Sequence, residues 1–187
     1  MKEFNKITSH IIPLVMKDVD TDMIIPAQFM TKVNKEGYGE YLFTRLRDGD
    51  ASFVFNQPQY KDAQILLSGS NFGCGSSREV AVWALQQAGI SVIIAESFSD
   101  IFHSNAAKNG LLLIQLPKEV VNAWMQEAEN KKCVLTVDLE MQTVCDQDGE
   151  VEHFEYDTFR KSCLLKGYDD MDYLLAHLGE IEQHEQA

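Results

Sequence analysis

The chain has 187 residues, 45% of them hydrophobic, and a formal net charge of −13. That length and apolar share suit a single core-forming domain over residues 1–187, and the acidity excludes a surface built to neutralise nucleic-acid phosphates. No apolar stretch approaches a membrane span and Met1–Lys6 lacks a signal-peptide core, so a soluble cytoplasmic protein is expected.

In chain order, His10 to Val15 reads as a strand, and Asp18-Val19-Asp20-Thr21-Asp22 as a polar turn leading to Ile24-Ile25-Pro26, where proline opens a short helix through Met30. The aspartates are structural, since an EF-hand loop starting at Asp18 would need glycine at Met23 and glutamate at Phe29. Residues 31–59 carry Gly37, Gly39, Gly49 and Pro58 among aromatics and charges, which predicts a mobile excursion that touches substrate. A strand at Ile65, a helix over Ser77 to Ala88, a strand at Ser91 to Ala95, a helix over Ser99 to Lys108 and a strand at Leu111 to Gln115 follow. This βαβαβ order predicts an α/β fold with a parallel core and right-handed crossovers. A helix from Pro117 to about Asn130 comes next, then strands at Cys133 to Leu139, Met141 to Cys145 and Val151 to Tyr156. Helices at Thr158 to Leu165 and Met171 to Leu178 close the pattern.

The densest chemistry lies at Gly69-Ser70-Asn71-Phe72-Gly73-Cys74-Gly75-Ser76-Ser77-Arg78-Glu79, a strand-to-helix junction. Gly73 and Gly75 allow positive φ and close backbone approach, the first helical amides lack internal partners, and Arg78 offers a planar fork that matches a carboxylate. The junction is therefore a candidate anion site. The spacing Ser76-x-x-Glu79 also fits a capping box, which would make Ser76 a helix cap. A P-loop would end in Gly-Lys-Ser/Thr, and a dinucleotide fingerprint needs glycine where Arg78 stands, so neither applies.

Cys74, Cys133, Cys145 and Cys163 stand far apart with no Cys-x-x-Cys pair, and the five histidines form no metal-binding pattern. Reduced thiols are expected, with no metal held by this chain. Cys74 reads as a small residue filling a tight loop.

Three ordered motifs carry a family resemblance: Asp18-Val19-Asp20-Thr21-Asp22-x-Ile24-Ile25-Pro26-x-x-Phe29, Asn71 through Glu79, and Ser97-Phe98-x-Asp100-Ile101-Phe102 with Asn105 and Gly110-Leu111-Leu112. Together they resemble the small subunits of 3-isopropylmalate dehydratase, the swivel-domain members of the aconitase superfamily, from about residue 7 to the 159–167 segment. The resemblance implies a swivelling β/β/α domain that works beside a large subunit carrying a [4Fe–4S] cluster. The implied reaction isomerises 2-isopropylmalate to 3-isopropylmalate through isopropylmaleate, a step of leucine biosynthesis. By motif position Ser76 is implied as the general base and Arg78 as the grip on a substrate carboxylate. Asn71, Gly75 and Ser77 are implied as donors around the anion. Lys32 is a further candidate cation, although a solvated loop lysine is the commoner use of such a residue.

The chain departs from the family pattern at Val80-Ala81-Val82, where His-Ala-Pro is expected, and at Leu113, where proline is expected. These departures keep two alternatives open. One is a related dehydratase for another alkylmalate of the methylmalate/citraconate type, and the other is a non-catalytic anion-binding module of the same fold.

Overall fold

The computed structural model describes residues 1–30, 35–130 and 133–185. Seven strands form one sheet: β1 (Lys6–Leu14), β2 (Ile65–Ser68), β3 (Val92–Ala95), β4 (Leu112–Gln115), β5 (Val134–Asp138), β6 (Thr143–Cys145) and β7 (Val151–His153). Their spatial order is β4-β3-β2-β1-β5-β6-β7. The expected parallel β2-β3-β4 core is present, and β1 extends it by pairing Ile11–Leu14 in parallel with Ile65–Ser68. The first half of β1, Lys6–His10, pairs antiparallel with β5 instead, so one strand joins the parallel and antiparallel parts of the sheet. That half has more exposed positions than the second, so it lacks the continuous apolar run that marks residues 11–14 and begins four residues before the sequence pattern suggested.

Successive strand residues point to opposite faces and feed two cores. Ile12, Leu14, Leu66, Ile93 and Leu113 face one cluster, under α3 (Glu79–Gln87) and α4 (Asp100–Asn109). Ile11, Ile65, Leu67, Val92 and Ile94 face the other, which takes in Trp124 of α5 (Lys118–Asn130) and Leu164 of α6 (Thr158–Lys166). The C-terminal pattern resolves into two helices, α7 (Asp170–Ala176) and α8 (Leu178–Glu185).

The excursion expected over residues 31–59 contains regular elements in its described part. Between β1 and β2 lie the short helices α1 (Thr21–Ile24) and α2 (Thr44–Gly49) and four 3-10 turns, and Tyr38, Leu42 and Phe43 are fully buried in the first core. Phe43 also packs against Phe53 and Phe55, with ring centroids 5.9 and 4.9 Å away. Aromatic burial therefore anchors residues 35–59 to the first core despite their glycine and proline signals, while Asp48 to Ser52 stay exposed. Residues 31–34 of that expectation lie outside the described residues.

Candidate active-site turn

The turn between β2 and α3 is held by hydrogen bonds from both flanking segments. From the β1 side, the Asp18 amide donates to Ser70 O (2.9 Å), Gly73 N to Val19 O (2.8 Å) and Thr21 N to Cys74 O (3.0 Å). From the β3 side, Phe72 N donates to Ser97 O and Ser99 N to Phe72 O, at 3.0 and 3.1 Å, while Ser99 Oγ donates to Gly73 O at 2.8 Å. The three motifs separated in sequence are thereby stitched together at the carboxyl edge of the parallel strands, where open α/β sheets bind ligands.

Gly73 and Gly75 both sit at positive φ, +77° and +90°. At Gly73 the demand is doubled, because an added Cβ would lie 2.5 Å from Phe102 Cβ. Asn71, also at positive φ, donates Nδ2 to Asp18 Oδ1 (2.8 Å), and its amide donates to Ser97 Oγ (2.8 Å). Asn71 thus braces the turn with the groups that were expected to face an anion.

The capping box is not formed. α3 begins at Glu79, with Arg78 extended at the N-cap position and no side-chain cap. Glu79 instead accepts from Asn109 Nδ2 at 2.8 Å, and Thr21 Oγ1 donates to the Ser76 carbonyl at 3.0 Å. Ser76 and Ser77 are consequently exposed, and among the described residues the Ser76 hydroxyl has no hydrogen-bond partner. A hydroxyl in that state is available to an incoming molecule.

Arg78 is mostly buried and forms a bidentate pair with Asp22, Nη2 lying 3.1 Å from Oδ2 and Nη1 2.5 Å from Oδ1. The Asp22 carboxyl is held below the usual carboxylate range by the Arg78 hydrogen bond and charge, helped by the Ala27 amide and the charge of Arg45. Arg45 is an exposed residue of α2, which is tied to α1 through Phe43 N to Ile24 O at 2.8 Å. Sequence reasoning missed both Asp22 and Arg45. The signal for Asp22 was an arginine opening a helix opposite a run of three aspartates; Arg45 had none. Asp20 caps α1 by accepting from Met23 N (2.7 Å), so only part of that run is structural in the sense expected. Burial, with the charges of Asp20 and Asp18, pushes the Cys74 thiol up.

Ser76, Ser77, Gly75, Asn71 and Arg78 are brought together on one turn, whereas Lys32 lies outside the described residues. Val80 is half-buried against the first core, Val82 is fully buried on α3, and Leu113 is buried in β4. The departures from the family pattern therefore fall at packed positions beside the turn, and Val80 stands where the pattern has a hydrogen-bonding ring. Among the described residues, no group of three His, Cys, Asp or Glu side chains converges to hold a metal, and the cysteines are free.

A family model for the aconitase C-terminal domain matches residues 1–119, and a second, LeuD_N, matches residues 122–157. A 3-isopropylmalate dehydratase small subunit from Francisella tularensis subsp. novicida is 58% identical over all of this chain and 98% of the relative. One from Cereibacter sphaeroides is 46% identical over 99% of this chain and 95% of the relative. A crystal structure of 3-isopropylmalate dehydratase from Methanocaldococcus jannaschii superposes with a TM-score of 0.70 at 26% identity, covering 97% of this chain and 99% of that one. With near-complete coverage at this identity, and with its motifs gathered on one sheet edge, the chain belongs to the family of 3-isopropylmalate dehydratase small subunits, built on the aconitase C-terminal domain.

Proposed function

We infer that this chain acts as the small subunit of a hydro-lyase that interconverts 2-isopropylmalate and 3-isopropylmalate in leucine biosynthesis, and that the 69–79 turn is its half of the active site. The observation that carries the reading is an exposed Ser76, without a hydrogen-bond partner among the described residues, two residues before a guanidinium held by Asp22. A [4Fe–4S] cluster held by the large subunit would supply Lewis-acid chemistry at the substrate hydroxyl. This chain supplies a carboxylate grip and a proton acceptor.

Asp22 fixes the plane of the Arg78 guanidinium and leaves its remaining N–H donors for a substrate carboxylate. The backbone amides of Gly75 and Ser77 and the Ser77 hydroxyl lie on the same turn and serve as further donors, with Asn71 keeping the turn in shape. Ser76 Oγ, next to the bound carboxylate, would act as the alkoxide: it loses its own proton to water as the site closes and then takes the proton from the neighbouring substrate carbon, returning to the hydroxyl. A serine hydroxyl gains basicity only where cations and donors stabilise the alkoxide and bulk water is excluded. Ser76 is exposed here, so the isolated chain is inactive and a large subunit must cover the turn. The second carboxylate needs a second cation. Lys32 is a candidate for it, and Arg45, whose charge is felt at Asp22, is the other.

The test is anaerobic reconstitution with the cluster-loaded large subunit and an isopropylmaleate hydration assay. Ser76→Ala should lower kcat by roughly 10²–10⁴-fold, the usual contribution of a general base. Full activity in that variant would remove Ser76 from the mechanism, and faster turnover of methylmaleate than of isopropylmaleate would move the substrate to the smaller alkylmalate.

A further inference from the structure

The C-terminal helices present their more apolar face to solvent. Met171, Leu174, Leu175, Leu178 and Ile181 are 63%, 51%, 60%, 49% and 36% exposed. Helical spacing puts Met171, Leu174 and Leu175 on one face of α7 and Leu178 and Ile181 on one face of α8, two parts of an exposed apolar row interrupted at His177. The opposite face carries the inward contacts: Tyr173 stacks edge-on against Phe159 with centroids 4.7 Å apart, and His177 packs on Tyr173. An exposed apolar row of this kind is uncommon on a free monomer and marks a surface that is covered in use.

We propose that this row docks into an apolar groove of the large subunit whose edges carry lysine and arginine. The proposal rests on the small-subunit reading above. Charge selects the occupant: the exposed Glu182 and Glu185 close the end of the row and no lysine or arginine occurs from Tyr168 to Ala187, while at its other end Asp170 pairs with Arg160 at 2.6 Å and Asp172 lies 4.0 Å from the Met1 amino group. A second copy placed on the same row would oppose carboxylates with carboxylates, and an anionic lipid surface would be repelled in the same way.

Position gives the contact a use. The Met1 amino group donates to Gly167 O (2.7 Å) and lies 4.0 Å from Asp172, and Phe4 N donates to Leu164 O, so α7 sits at the N-terminal end of β1. The active-site turn is anchored at the other end of that strand, which spans about 30 Å at strand rise. Substrate has to enter and leave over Ser76, so contacts there must open. Docking at the far end keeps the two chains together while they do.

The test measures the affinity of this chain for its cognate large subunit and the kcat of the complex at saturation. It compares the wild type with the double variants Leu174→Glu/Leu175→Glu and Glu182→Lys/Glu185→Lys. The leucine variant should raise Kd by ~30-fold or more, as loss of a central apolar anchor does, with kcat at saturation unchanged. The charge reversal should weaken binding and flatten its salt dependence; it alters exposed positions and decides the matter if the leucine variant does not fold, as judged by its melting curve. Unchanged Kd in the folded variants overturns the proposal. So does a free chain that sediments as a dimer and becomes monomeric in the leucine variant with large-subunit affinity intact, which would assign the row to a second copy. A wild-type chain that binds no large subunit overturns the small-subunit reading itself, and the docking proposal with it.

Discussion

Replacing Gly73 by alanine tests whether the active-site turn is braced from beneath. At φ +77° an L-residue carries a left-handed backbone penalty of roughly 1–2 kcal/mol. The new Cβ would also meet Phe102, at 2.5 Å from its Cβ and 2.6 Å from its Cδ1. Phe102 cannot swing clear, because it is 2% exposed and packs edge-on against Phe72 with centroids 5.4 Å apart. Overpacking of a fixed ring adds about 1–3 kcal/mol, so the total loss should be ~2–5 kcal/mol, a large part of a typical domain stability of about 5–15 kcal/mol. With a urea m-value near 2 kcal/mol/M the midpoint should fall by ~1–2.5 M. Urea titration of the isolated chain, followed by the fluorescence of the half-buried Trp83 and the buried Trp124, reads this directly. The control is Gly49→Ala at the end of α2, where an added Cβ meets nothing within 4 Å; it should be neutral or stabilising by up to ~1 kcal/mol. A Gly73→Ala loss below about 1 kcal/mol, or one matching the control, would refute the claim that Phe102 locks this turn.

The Arg78–Asp22 pair carries a pH signature. The Asp22 carboxyl titrates below its ordinary value of 3.8, so the pair contributes stability above that pH and loses it as pH falls through the depressed folded value. Asp22 is 42% exposed, so the stability gap between wild type and Asp22→Asn should be under ~1 kcal/mol at pH 7 and smaller at pH 3, below the ordinary carboxyl value. A gap that is equal at both pH values contradicts the assignment. The raised Cys74 thiol should alkylate with iodoacetamide at pH 8 more slowly than a free cysteine, and Asp20→Asn should speed it up; mass mapping of the modified peptide decides. In the reconstituted enzyme Arg45→Ala should raise KM about tenfold or more while sparing kcat, as loss of a charge-assisted carboxylate contact would, and an unchanged KM leaves that role to Lys32.

The parallel core was legible because its strands are buried on both faces and read as short apolar runs between capped helices. Ile65–Leu67 and Val92–Ala95 have no other reading of that length. The first half of β1 was not legible, since Lys6 to His10 owe their extension to β5, more than a hundred residues away. The packing of residues 35–59 was hidden for a related reason. Glycine and proline announce turns locally, but whether Tyr38, Leu42 and Phe43 are buried depends on α1 and α3 being there to receive them.

The site divides along the same line, and the division bears on how Ser76 works. Its placement on a glycine-rich junction was legible from sequence, but the helix cap expected of it does not form, because Thr21 and Asp22 tie the Ser76 carbonyl and the Arg78 guanidinium to the α1 side and α3 begins only at Glu79. The field of a helix terminus weakens beyond its first turn, and Ser76 stands three residues before α3, so the helix dipole cannot be its main activator. What remains is the guanidinium of Arg78, already half-neutralised by Asp22, and whatever the covering subunit brings. A substrate carboxylate arriving at Arg78 adds negative charge next to the same hydroxyl and would by itself make its deprotonation harder. The serine can therefore become a competent base only if further cations and donors close over it with water excluded. On the proposed mechanism, part of the catalytic machinery for this hydroxyl would lie in another chain, which would account for a serine that is exposed and, among the described residues, without a hydrogen-bond partner on an otherwise braced turn.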